Sequence, residues 1–229
     1  MKKLLVTGSN GTIGTMLTSG LARGYSITGF DLPEQDGREY DRVLAAMQGV
    51  DTVIHLAWNT TVDYAARASE LVIDPDNYTM AVNVYKAAAE AGVRRVIMAS
   101  SVHADDFITP RSHKLMSPYD LPTPTSPYGA GKVFVEALGR HMVAASGLEV
   151  ICTRFGAVNP DDLPHESPAY LRVVWLSKYD LVALIERCIE APLPDRYEIV
   201  YGVSKNPGLM LDTSNQVGWT PQDSAPSRA

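Results

Sequence analysis

Six short apolar runs, each separated from the next by a longer stretch of helical periodicity, set the strongest limit on what this chain can become. The runs cover 3–7, 26–30, 52–56, 95–99, 149–154 and 197–201, and the helical patterns about 13–23, 40–47, 76–91, 127–145 and 178–190. Alternation of this kind builds βαβ units and a parallel sheet. Most runs are continuously apolar rather than alternating, which predicts strands covered by helices on both faces. The expected fold class is α/β: a doubly wound parallel sheet with a small C-terminal extension, in one domain spanning 1–229. The proline-bearing stretches 109–127 and 159–169 each follow a predicted strand, so both lie at the carboxyl edge of the sheet, where ligands bind in this architecture. Residues 222–229 read as a frayed tail. Between Asp31 and Asp51 there is one helical pattern and no convincing strand, although a complete half-sheet places its third strand there. Either the edge of the sheet is shortened or residues are missing.

Composition narrows the function classes. A formal net charge of −6 gives no electrostatic reason to expect nucleic acid as a partner. No apolar run approaches the roughly 18 residues a membrane helix needs. The apolar stretch after Lys2 and Lys3 is too short for a signal-peptide core and reads as a first buried strand. Cys152 and Cys188 lie apart in apolar stretches, which predicts buried thiols in a reducing cytoplasm rather than a disulfide framework or a zinc site. No metal site is expected; the pairs Asp105-Asp106 and Asp161-Asp162 have no metal-ligand context.

The run Gly8-Ser9-Asn10-Gly11-Thr12-Ile13-Gly14 closes the first strand and opens the first helix. Glycines three apart permit a tight turn, close approach of the backbone to a pyrophosphate, and close packing of helix on strand. The exposed N–H groups and the helix dipole then attract the anion. The spacing departs by one residue from the usual dinucleotide fingerprint, and Gly-rich turns are common, so its weight comes from this context. Asp31 ends the second strand, where a carboxylate accepts from the adenosine ribose hydroxyls and repels a 2′-phosphate. No basic residue follows before Arg38, so NAD is the expected cofactor.

Tyr128 and Lys132 are four apart at the start of a predicted helix and share one face of it. A tyrosine titrates near ~10 and is a poor base at neutrality. A neighbouring ammonium favours the phenolate and moves it toward working pH. Ser126 and Pro127 supply an N-cap and a first-turn proline for that helix. Ser100 and Ser101 end the fourth strand, where a hydroxyl can donate to a substrate oxygen that gains charge.

Taken together, Thr7-Gly8-x-x-Gly11-x-x-Gly14, Asp31, Asp51-Thr-Val-Ile-His-Leu-Ala57, Asn77, Ser100-Ser101 and Tyr128-x-x-x-Lys132 resemble the extended or atypical short-chain dehydrogenases, the NAD-dependent epimerase/dehydratase-like family. The resemblance implies a Rossmann-type fold and an oxidoreductase. It assigns Ser101 to polarise the substrate oxygen, Tyr128 as general base and Lys132 as its activator. It places Gly8, Asn10, Gly11, Thr12, Ile13, Gly14, Asp31, Leu56, Ala57, Asn77, Ser100, Tyr128 and Lys132 at the cofactor. A narrower likeness runs through Ala99-Ser-Ser-Val-His103, Trp175-Leu-Ser-Lys-Tyr-Asp-Leu181, Glu198-Ile-Val-Tyr-Gly-Val-Ser204 and Gly218-Trp-Thr-Pro221. These look like the uronate dehydrogenases and the archaeal NAD-dependent sugar or sugar-phosphate dehydrogenases, which oxidise the anomeric carbon to a lactone. On that analogy the substrate is a small sugar, sugar acid or sugar phosphate, with substrate-side elements from about 155–176 and 200–221. His103 would contact sugar hydroxyls and Arg172 would pair with a carboxylate or phosphate. The chain departs from the uronate dehydrogenases at Val102, where they have Asn, and Arg172 stands two residues nearer Trp175 than their arginine. Only 97 residues follow Lys132, which favours a small substrate over a nucleotide sugar. The family also forms homodimers through the two long helices, so a homodimer is expected.

The remaining candidates read as follows. Arg111-Ser-His-Lys114 is a basic loop cluster that could clamp an anion but reads better as solvated. His55 ends a buried strand and reads as structural, His141 and His165 as surface residues. Trp58 either walls the cleft or packs. Two rival functions stand beside a dehydrogenase: an epimerase or dehydratase using NAD transiently, and a dinucleotide-binding regulator without catalysis. The second normally lacks the Tyr-Lys pair that is intact here.

Overall fold

The computed structural model describes residues 1–60, 72–109 and 115–226. In chain order the elements are β1 (Lys3–Thr7), α1 (Thr12–Leu21), β2 (Ser26–Phe30), α2 (Tyr40–Ala46), β3 (Thr52–His55), α3 (Pro75–Glu90), β4 (Arg95–Ser101), α4 (Pro127–Ser146), β5 (Glu149–Phe155), α5 (Ala169–Val173), α6 (Lys178–Glu190) and β6 (Tyr197–Gly202). The six strands form one sheet in the order β2-β1-β3-β4-β5-β6, with every neighbouring pair parallel.

Two hydrophobic cores explain the continuous apolar runs. Successive strand residues point to opposite faces. Leu4, Val6, Ile54, Ile97 and Ile151 pack under α1 and α6 on one side. Leu5, Val53, Val96, Met98 and Val150 pack under α2, α3 and α4 on the other. Both cysteines are buried free thiols within these cores, and burial pushes each up to about 12, so neither is a nucleophile at neutral pH.

Helix boundaries follow local chemistry. Ser126 caps α4 by accepting from the Gly129 N–H at 3.1 Å, and Pro127 takes the first helical position. The helix ends at Gly147, whose φ of +74° is the left-handed conformation that glycine adopts cheaply. Asp74 and Ser177 cap α3 and α6 in the same way.

After Asp31, residues 31–39 form turns with no strand, and β2 is the edge of the sheet, so the sheet ends one strand short of a complete half-sheet on this side. The turn is held down by Asn83, whose Nδ2 donates to the Gly37 and Arg38 carbonyls at 3.1 and 2.9 Å. The frayed tail is corrected in part. Residues 222–226 are tied to the body, because the Gln222 and Asp223 N–H groups donate to buried Asp180 and the Ala225 N–H donates to Asn206. No periodicity announces such a segment; isolated polar anchors hold it. The short helix α5, inside the stretch expected to be irregular up to residue 169 and just beyond it, is too brief to leave a periodic signal.

Candidate active site

Two cavities open at the carboxyl edge of the sheet and share Gly8, Gly11, Leu56 and Trp58. The first, of about 500 Å³, runs from the glycine turn past Phe30 and Asp31 to Asp36 and Arg38. The second, of about 560 Å³, runs from the same turn along α4 to Ser101, His103, Tyr128 and Lys132.

The turn itself is built from backbone. Gly8 has φ +69°, and a Cβ there would lie 2.6 Å from the Ala57 nitrogen. A Cβ at Gly14 would lie 2.3 Å from the Gly8 carbonyl oxygen, whereas Gly11 meets only that oxygen, at 3.4 Å. Two glycines thus allow the turn to fold against the start of α1 and the end of β3, while the third leaves an open mouth. A cradle with this shape, two lobes meeting at a helix N-terminus, fits a dinucleotide with its pyrophosphate between them. Thr12, Ile13, Leu56 and Ala57 all line it.

Asp31 lines the first lobe. Its carboxylate accepts from the Asn10 and Leu32 N–H groups, both at 2.8 Å. Asn10 therefore ties the turn to Asp31 through its backbone, and neither cavity is lined by its side chain. The shortened edge also brings Asp36 and Arg38 to the rim, which sequence reading missed. The Arg38 side chain and N–H both bond Asp36 and hold its carboxyl down at about 2, while Arg38 also reaches Asp76 at 2.8 Å.

The second lobe holds the chemical groups. Lys132 is buried, donates to the Ala99 carbonyl at 3.0 Å, and sits 3.6 Å from the Trp58 ring centroid and 5.5 Å from that of Tyr128. The Tyr128 ring meets Trp58 and His103 edge-on, with centroids 6.2 and 5.8 Å apart. This close fit rests on Gly129, where a Cβ would collide with the His103 carbonyl oxygen at 2.0 Å. Ser101 accepts from the His103 N–H at 3.2 Å, which occupies a lone pair and leaves its hydroxyl proton to donate. Burial lowers the His103 pKa, so its imidazole faces the cavity neutral. His55 is buried too, with Nδ1 2.7 Å from the Thr7 hydroxyl; burial, then the charge of Lys132, push it down to about 3.

Two sequence assignments need correction, and a third is refined. Ser100 lines the cavity, but its hydroxyl is committed to Glu136 at 2.5 Å; adjacent strand residues face opposite sides, and Ser101 faces the cleft. Asn77 lines neither lobe; it is fully buried and its amide brackets Asn59, accepting from the N–H at 2.6 Å and donating to the carbonyl at 3.0 Å, which braces the loop after β3. Arg172 lies outside the Tyr128 cavity. It lines a neighbouring one with Asp161 and Glu166 and donates to the Pro226 carbonyl. Conversely, His165, read as a surface residue, lines both that cavity and the Tyr128 lobe, as Tyr170 lines the latter. Trp58 walls both lobes of the cleft. The cluster 111–114 lies outside the described residues. Among the described residues no group of His, Cys, Asp and Glu is placed to hold a metal ion, and no helix is long and apolar enough to cross a membrane.

Comparison with known proteins agrees with this geometry. The family model of the NAD dependent epimerase/dehydratase family matches residues 4–159. The chain belongs to that family. L-arabinose 1-dehydrogenase (NAD(P)(+)) of Haloferax volcanii is 32% identical over 98% of each chain. NAD-dependent glucose-6-phosphate dehydrogenase of the same organism is 29% identical over 97% of this chain and 94% of its own length. A solved structure of a uronate dehydrogenase variant from Agrobacterium tumefaciens, complexed with NAD, superposes with a TM-score of 0.80 at 27% identity, covering 98% of this chain and 86% of that one. The Rossmann-type fold and NAD as the family's cofactor, both expected from the sequence, stand.

Proposed function

We propose that the protein is a NAD-dependent dehydrogenase that oxidises the anomeric hydroxyl of a small sugar, sugar acid or sugar phosphate to a lactone. The observation that carries the reading is that Ser101, His103, Tyr128 and Lys132 line one cavity with the glycine turn. The sugar and sugar-acid dehydrogenases among the relatives support the substrate class.

The glycine turn with Thr12, Ile13 and Asp31 would hold NAD, which would accept the hydride lost from the anomeric carbon. Tyr128 as phenolate removes the hydroxyl proton, and the buried ammonium of Lys132 beside it favours that ionised form. Ser101 donates to the same substrate oxygen as charge develops there. His103, neutral and next to Tyr128, offers a hydrogen bond to a neighbouring sugar hydroxyl. Trp58 and Tyr170 supply apolar wall against which a sugar ring packs and which keeps water from the reacting carbon. The same reading takes residues 1–229 as one catalytic domain with substrate-side elements at 155–176 and 200–221, working in the cytoplasm. It pairs two copies through α3 and α4, whose outer faces expose Val82 and Phe134.

The test is a panel of aldoses, uronic acids and their phosphates with NAD, read by NADH absorbance, with Tyr128→Phe alongside. At least one sugar should yield net NADH. Tyr128→Phe should lower kcat by about 10²–10⁴-fold with NAD affinity unchanged. Conversion of a sugar to its epimer without net NADH, or full turnover in the phenylalanine variant, overturns the reading.

A further inference from the structure

Tyr128 and Lys132 share their helical face with a third residue one turn further along, Glu136. It is 3% exposed, in the middle of α4, and its carboxylate is fully engaged. Arg154 of β5 grips it in two places, Nε to Oε1 at 2.7 Å and Nη2 to Oε2 at 2.8 Å, and Ser100 of β4 donates to Oε1 at 2.5 Å. Arg154 is itself completely buried and continues the chain of contacts. Its Nη1 donates to Asp105 and, at 3.1 Å, to the Tyr201 hydroxyl of β6, which donates on to Asp105 at 2.5 Å. Two more tyrosines pin the same turn of the helix: Tyr197 donates to the Glu136 carbonyl at 2.9 Å and Tyr85 to the Val135 carbonyl at 3.1 Å.

Burial works against the charge on Arg154, but Glu136 first, then Tyr201 and Asp105, hold the guanidinium firmly protonated. Asp105 is pushed up by burial against the pull of Arg154 and the Tyr201 hydrogen bond. A cluster of this kind is a poor way to add stability, because apolar side chains of similar volume hold buried elements together as well or better. What it supplies is direction. A bidentate guanidinium–carboxylate pair has one good geometry, so it fixes both the rotation of α4 and its height on the sheet. The ends of the network identify what needs that accuracy. Ser100 adjoins Ser101, Asp105 lies two residues past His103, and Glu136 lies one and two helical turns past Lys132 and Tyr128.

We propose that Glu136 is a positioning residue for the reaction: its ion pair with Arg154 sets Tyr128 and Lys132, carried on α4, against Ser101 and His103, carried on β4 and the turn after it. This rests on the dehydrogenase reading above. A displacement of about 1 Å between reacting groups costs on the order of 10²-fold in rate, so the clamp acts mainly on kcat; the glycine turn and Asp31, which would hold the pyrophosphate and adenosine side of the cofactor, lie outside it.

The experiment uses the wild-type enzyme on its best sugar from the panel, Glu136→Gln, and the triple variant Glu136→Leu/Arg154→Met/Asp105→Asn, each measured for kcat, KM, NAD affinity and melting temperature. Glu136→Gln should lower kcat about 10–100-fold, with NAD affinity within about twofold. The triple variant, in which Asp105 is also changed so that no buried carboxylate is left without Arg154, should regain the wild-type melting temperature but keep kcat at least about tenfold low. Wild-type kcat in Glu136→Gln, or recovery of kcat together with melting temperature in the triple variant, overturns the proposal. So does failure of both variants to fold, which would make the network a support of the fold alone. Absence of turnover in the wild type on every sugar would instead reject the dehydrogenase reading, so the two failures are distinct.

Discussion

The two lobes of the cleft are built on different principles. The cofactor lobe at Gly8–Gly14 is made of backbone: N–H groups at a helix start, a left-handed glycine, and a strand end pressed against it. The chemical lobe is made of side chains, Ser101, His103, Tyr128 and Lys132, delivered by β4 and α4 from separate parts of the chain. A backbone site fails when a side chain is added, and a side-chain site fails when one is removed. The lobes should therefore answer mutation in opposite ways, with binding lost in one and turnover in the other.

The strongest way to break this contrast is Gly8→Ala. Its φ of +69° and a Cβ only 2.6 Å from the Ala57 nitrogen force the turn away from β3. Strain of this sort costs about 1–3 kcal/mol, and the N–H groups lose their aim at the pyrophosphate. NAD affinity should fall at least about tenfold and the melting temperature should drop, as titration calorimetry and a thermal scan will report. Unchanged NAD affinity would mean that the cradle is not backbone-built.

The same contrast explains what could be read without coordinates. The glycine turn and Asp31 are close in sequence, so their spacing alone places them, and the five strands other than the largely exposed edge strand β2 were visible because both faces are covered by apolar cores. The Tyr128–Lys132 pair was legible for a similar reason: four residues on one helix are neighbours by geometry. Side chains that depend on long-range packing were not. Ser100 and Ser101 look alike in sequence, and only the pleat decides that one faces Glu136 and the other the cleft. Asn77 braces a loop rather than the cofactor because its partner, Asn59, lies on the other side of residues 61–71 in the chain. Arg172 and His165 exchange their expected places because the 159–176 stretch is held by isolated anchors, among them the Pro226 carbonyl, that carry no periodic signal. The Glu136–Arg154 clamp joins a helix to a strand across a turn, and nothing in its local sequence distinguishes it from a surface charge.

His55 sharpens the comparison because it sits where the lobes meet, bonded to Thr7 of β1 and in the field of Lys132. Its folded value of about 3 lies below the ordinary 6.5, so the native imidazole stays neutral while the unfolded one gains a proton as pH falls below about 6.5. Stability is thus undiminished above that pH and declines through the window from about 6.5 to 3, at about 1.4 kcal/mol per pH unit from this group alone. Glu or Asp titrations add their own slopes to wild type and variant alike. In His55→Gln the decline between pH 6.5 and 4.5 should be shallower by that amount in urea unfolding. Parallel curves would show that His55 titrates in the folded protein as it does unfolded, so that Lys132 gains a charged neighbour only below about pH 6.5.

The smallest expected effect comes from Arg172→Ala, and it tests the side-chain lobe at its outer limit. Arg172 lines the neighbouring cavity and its guanidinium donates to the Pro226 carbonyl, so it contributes no contact to a sugar seated at Tyr128. For a neutral aldose, kcat/KM should stay within about threefold of wild type, a change of less than about 1 kcal/mol in transition-state stabilisation. A uronate or sugar phosphate is the sharper probe. A charge-assisted bidentate contact contributes about 1.5–3 kcal/mol, so a selective loss of tenfold or more on the anionic substrate would show that the arginine leaves Pro226 and enters the cavity during turnover. Equal, small losses on both would confine recognition to the groups already facing Tyr128.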